Sequence, residues 1–190
     1  MGADIHSFVE TRDTVGWHWR ADLSFDNGPF NTATPWDPFD RYYPLFGHLA
    51  GVRDNDVPRL VPDRGDRLPA DVSAEVYARI GPTLTEILDA AGEDRTAREM
   101  ALQHRWSGLH SHGWATGAEI RSFDYDRTMR CPLVHKEEGL KGFWGYRCDR
   151  TDGLITVRQY LGEFWTARLF EIADLTLDPA NVRVVFAFDN

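Results

Sequence analysis

The sequence predicts an α+β fold: a largely antiparallel sheet with the N- and C-terminal strands adjacent and several helices on one face. Three observations predict it. Residues 3–11, ADIHSFVET, alternate with period two, which is the signature of a strand. The chain closes on NVRVVFAFDN, apolar at alternate and at intervening positions, as a central strand covered on both faces would be. The helical patterns fall between these two strands without a regular strand–helix alternation, which argues against a parallel α/β sheet.

Taken in order, Ile5 and Val9 share one face of the first strand, and Asp4, His6, Phe8 and Glu10 share the other. A second strand is expected over Gly16 to Leu23, followed by the aromatic loop NGPFNTATPWDPFD. Asp40 is placed to cap a helix from Arg41 to Ala50, with Pro44 in its first turn, Leu45, Phe46 and Leu49 inward, His48 outward and Gly51 as the stop. Residues 51–71 are charged, rich in Pro and Gly and aperiodic, so they read as a surface excursion that covers something. Asp71 or Ser73 starts a helix through Ile80, Gly81-Pro82 breaks it, PTLTEILDAAG forms a second, and Asp94 to His104 a third. Residues 106–125 mix Gly, His, Trp and Ser. TMRCPLVHKEEGLKGFWGYRC then reads as a hairpin that brings Cys131 and Cys148 opposite one another, and Leu154–Leu175 as a strand through Tyr160 with a helix from Phe164 to Ala173.

The 190 residues fit one globular domain, 1–190, and 42% hydrophobic content with 11 Phe, 7 Trp and 6 Tyr is enough for a packed core. The formal charge is −9, and all of the 21 basic residues except Lys136 and Lys141 are Arg. An acidic chain without a basic cluster argues against general nucleic-acid binding, while Arg forks still suit one compact anionic ligand. No apolar run reaches membrane-spanning length and no basic stretch with an apolar run opens the chain, so a cytoplasmic protein is expected. Two cysteines make no disulfide framework. Cys131, His135 and Cys148 are read as ordinary thiols and a histidine before a zinc site that would lack its fourth ligand.

Two short motifs carry the chemistry. Asp4-x-His6 in a strand places an acid and an imidazole on one side, and His110-x-His112 in an extended segment does the same for two ring nitrogens. Asp4, His6, His110 and His112 are therefore the candidate ligands of a divalent metal, zinc or manganese. The competing reading has Asp4 orienting His6, or the two later histidines hydrogen-bonding in a polar pocket without metal. Glu10 and Asp189 are the candidate general bases, and Arg53 and Trp114 the candidate substrate contacts. The site then belongs to a metal-dependent hydrolase of a small phosphorylated or nucleotide-like substrate. The alternative is a protein that sequesters such a small molecule between Trp and Tyr side chains without catalysis. Phosphate-binding glycine loops, dinucleotide fingerprints, His-Glu-x-x-His helices and nucleophile elbows are absent from the sequence. Ser111 is the serine with a local case for nucleophilic catalysis, although strand neighbours are expected to point to opposite faces.

Gly-x-Asp-Ile-His, Arg-x-Tyr-x-Leu-Phe with Leu-Ala-Gly-Val-Arg at 41–53, His-Ser-His-x-Trp at 110–114 and the terminal Val-Val-Phe-x-Phe-Asp-Asn occur in that order. With these four blocks the chain resembles, from end to end, a family of uncharacterised phage and bacterial proteins that supplies no activity to carry over. The resemblance implies that Asp4, His6, Arg53, His110, His112, Trp114 and Asp189 belong to shared blocks. It also implies that 82–105 is a helical insertion, and that Gly113 replaces a small polar residue.

Overall fold

The C-terminal strand organises the molecule because every side chain from Val182 to Phe188 is buried. The computed structural model describes residues 4–22, 42–53, 56–104, 109–130 and 153–189. The elements on the sheet side are β1 (Asp4–Arg12), β2 (Trp17–Trp19), β3 (His110–Thr116) and β6 (Val182–Asp189), in the spatial order β2-β1-β6-β3, all antiparallel. A separate two-stranded ladder joins β4 (Thr128–Arg130) to β5 (Leu154–Thr156). The helices are α1 (Tyr43–Ala50), α2 (Ala74–Ile80), α3 (Leu84–Ala91), α4 (Arg95–His104), α5 (Gly117–Ser122) and α6 (Val157–Ala173). The fold is α+β with the first and last strands adjacent, as the alternating patterns predict.

The period-two pattern of β6 divides the core into two. Val182, Val184, Phe186 and Phe188 join Ile5 and Val9 of β1 beneath α1, α5 and α6. Val185 and Ala187 join Phe8 on the opposite face beneath Val76 and Ile80 of α2. The register Glu10↔Arg183 puts two charged side chains side by side on that second face. They form a buried ion pair, Arg183 Nε to Glu10 Oε2 at 2.7 Å, with both side chains almost inaccessible. Ser73, which caps α2, donates its backbone N–H to Glu10 Oε1 at 2.8 Å, and Arg183 Nη1 reaches Asp71 at 2.6 Å. The pair therefore ties α2 to the sheet.

Three local expectations change. His48 is fully buried rather than outward, because Val57, Leu60 and Val61 of the excursion cover the far side of α1 and Phe123 and Tyr125 close over the ring. Residues 157–160 are helical rather than extended: Thr156 and Gln159 form a reciprocal capping box, and the helix is interrupted at Gly162, whose φ is 79°. Leu154–Thr156 pairs with Thr128–Arg130, so the described partner of β4 comes from beyond the cysteines. Cys131, His135, Cys148, Asp40, the loop from 27 to 40 and Gly108 lie outside the described residues. Among the described residues, no helix is long and apolar enough to cross a membrane. α3 buries none of its side chains.

Candidate functional site

The site grows from a bulge in β3. His110 opposes Phe188 and Gly113 opposes Phe186, so two residues, Ser111 and His112, face one on β6. Ser111 absorbs the extra residue with φ of 53°, a left-handed conformation that is costly for any side chain other than glycine. Gly113 lets the strands close up: a Cβ there would lie 2.8 Å from the Phe186 ring.

The outer edge of β3 is occupied by the excursion. Asp66 Oδ1 accepts the His112 backbone N–H at 2.6 Å, and the Arg67 N–H donates to the His112 carbonyl at 3.3 Å. The same Asp66 oxygen lies 2.7 Å from His112 Nδ1. A carboxylate can only accept there, so Nδ1 carries the hydrogen. His112 Nε2, on a side chain with no exposed surface, has no hydrogen-bond partner among the described residues. Burial pushes the Asp66 carboxyl up, but the ring and backbone N–H of His112 together outweigh it and hold the group below its ordinary value.

A cleft of about 350 Å³ opens beside this pair, between the end of α1, the 59–66 segment and the bulge. Arg59, Arg64, Asp66, Ser111, His112 and Trp114 are among its walls. Arg64 lies 4.4 Å from the Trp114 ring centroid, donates to the Trp114 carbonyl at 2.5 Å and pairs with Glu119. Glu119 is itself fixed by its capping box with Thr116. Arg59 is held less firmly, by Asp63 at 3.0 Å, whose side chain is 72% exposed. An ion pair that exposed is worth ~0–1 kcal/mol, so Arg59 can change partners at little cost.

The chain matches no protein-family model, no curated protein and no solved structure.

The structure brings some of the predicted residues together and separates others. His6 Nε2 meets Asp189 Oδ2 at 3.1 Å, so the C-terminal strand does reach the first histidine. Of Asp4 the main chain is described, and it pairs with Asp189 across the ladder. His6 opposes Ala187 and His110 opposes Phe188, which are adjacent on β6 and so point to opposite faces. His110 stacks beside the Phe188 ring at 6.4 Å between centroids, on the α1 side. His6 and His110 thus do not converge. Among the described residues no three His, Cys, Asp or Glu side chains are grouped to hold a metal ion. Glu10 spends both carboxylate oxygens inside the buried pair with Arg183 and the Ser73 N–H, which leaves it a structural anchor rather than a base. Arg53 is exposed, with φ of 63°, and the arginines of the cleft wall are Arg59 and Arg64. Trp114 and His112 do line the cleft.

Asp66, Arg59 and Arg64 were not candidates on sequence. They sit in the aperiodic excursion, and the partner of Asp66 is 46 residues away. The one available signal was the amount of charge in a segment otherwise needed only as a cover.

Proposed function

We propose that the chain is a hydrolase of a small phosphorylated or nucleotide-like substrate, with its site in the cleft beside the β3 bulge. The observation that carries the reading is the Asp66–His112 pair. A carboxylate fixes the ring by Nδ1–H, which leaves the Nε2 lone pair as the acceptor for a proton from an attacking group. Arg59 exchanges its exposed Asp63 for a substrate phosphate, while Arg64 stays fixed and shapes the wall. The same Nε2 is the nitrogen from which a divalent ion, zinc or manganese, would take its first protein ligand.

The test is hydrolysis of a panel of phosphomonoesters, phosphodiesters and nucleotides by untagged protein prepared without chelator, with metal content measured alongside. Turnover of one class is expected. Unchanged rate and melting temperature after chelation, with under about a tenth of an equivalent of metal, assign the chemistry to the side chains alone. A second reading, sequestration without catalysis, is supported by the Trp114 ring with Arg64 over it at the cleft wall. Stabilisation by nucleotides with no turnover across the panel decides for it.

A further inference from the structure

We infer that Ser111 is a nucleophile, with His110 as its base, and that hydrolysis proceeds through a phosphorylated Ser111. This inference rests on the hydrolase reading of the same cleft. Three observations carry it. Ser111 lines the cleft, and it is one of two described residues other than glycine with positive φ, the other being Arg53. Left-handed backbone at a serine is held in place only when its surroundings over-determine it, and here the bulge, the Asp66 contacts to His112 and the close approach at Gly113 do so. The turn also defeats the alternation expected of a regular strand: Ser111 Oγ lies 2.9 Å from Nδ1 of the neighbouring His110. A nucleophile within hydrogen-bond reach of an imidazole, with an arginine in an exchangeable pair lining the same cleft, is the arrangement phosphoryl transfer to a side chain needs.

With the His110 ring in its Nε2–H form, Nδ1 takes the hydroxyl proton as Oγ attacks phosphorus. The Oγ–P bond forms, the bond from phosphorus to the leaving oxygen breaks, and the proton passes from His110 to that oxygen. Water then attacks the phosphoserine, giving one proton back to Ser111 Oγ and the other to the phosphate product. In this scheme His112, held by Asp66 in the wall of the same cleft, is the base that takes the proton of this water. No oxidant, reductant or further reactant is required.

The experiment treats the full chain with diisopropyl fluorophosphate, which leaves a stable diisopropylphosphoryl group on a reactive serine and releases fluoride. Intact mass and peptide mapping read the result. One adduct per chain at Ser111 is expected, none in Ser111→Gly, and labelling at least about 100-fold slower in His110→Gln. Glycine suits a φ of 53°, so Ser111→Gly keeps the fold, which an unchanged or raised melting temperature confirms. Absence of an adduct, or adducts spread over several serines, overturns the inference. Turnover of any panel substrate that persists at the wild-type rate in Ser111→Gly overturns it too while leaving the hydrolase reading intact. Labelling confined to Ser111 in a protein that turns over none of the panel supports the nucleophile and counts against the hydrolase reading alone.

Discussion

His48 shows what a single buried ring does to the pH response. Its Nδ1–H donates to the Pro58 carbonyl at 2.7 Å, so Nε2 is the bare nitrogen, and it finds no hydrogen-bond partner among the described residues. Burial pulls the ring down to about 4 from 6.5, against the smaller opposing effect of that hydrogen bond. Between those values the unfolded chain binds a proton that the folded chain refuses. Stability is therefore complete above about pH 6.5 and falls as pH drops toward 4, by about 3 kcal/mol in all. Denaturant melts at pH 7 and 4.5 should show this loss, and His48→Phe should remove most of the difference between them. Gly113 is a second residue whose role is steric. Gly113→Ala drives a methyl into the Phe186 ring, which is itself 1% exposed, and should cost ~1–3 kcal/mol in the same assay.

The elements differ in how they are held, and that sets what each mutation costs. β1, β6 and α2 are joined through Glu10, Arg183, Asp71 and Ser73. Arg183→Met strands a buried carboxylate and should lose about 3–5 kcal/mol, whereas Arg183→Met with Glu10→Met should recover most of it, less the acceptor that Ser73 N–H then lacks. α3 buries no side chain, so its amides should exchange with deuterium well before those of β1 and β6 in hydrogen-exchange mass spectrometry. Most elements were legible locally: β1 and β6 from alternation, α1 from Pro44 and Gly51, α2 from a start at Asp71 or Ser73, and α3 from the Gly81-Pro82 break and the apolar pattern of PTLTEILDAAG. The helix at 117–122 and the start of the one at 157 were not recognised, although Thr116-x-x-Glu119 and Thr156-x-x-Gln159 carry the same capping signature as Thr83-x-x-Glu86. In both places a short strand, His110–Thr116 or Leu154–Thr156, runs straight into the cap.

At the scale of the whole molecule the cleft is a product of contacts between distant segments. Residues 49–52, 59, 61–66 and 111–114 line it, with β3 held beside β6 and α1 packed over the sheet. That is why the His110-x-His112 motif could be singled out from spacing while its carboxylate partner could not. Spacing along a strand is local, but Asp66 comes to His112 through the path of an aperiodic excursion. The same limit explains the separation of His6 from His110: spacing is read along one strand at a time, and the register across β6 places the two on opposite faces. The proposed chemistry therefore lies on one side of β3, where His112, Asp66 and Ser111 share a wall with Arg59. The proposal turns on the Asp66–His112 pair serving turnover and not folding alone. The most direct measurement is kcat of Asp66→Asn on the phosphate ester the wild-type protein turns over fastest. A fall of about 100-fold or more is expected, with the fold retained by circular dichroism. Wild-type turnover in Asp66→Asn would contradict it.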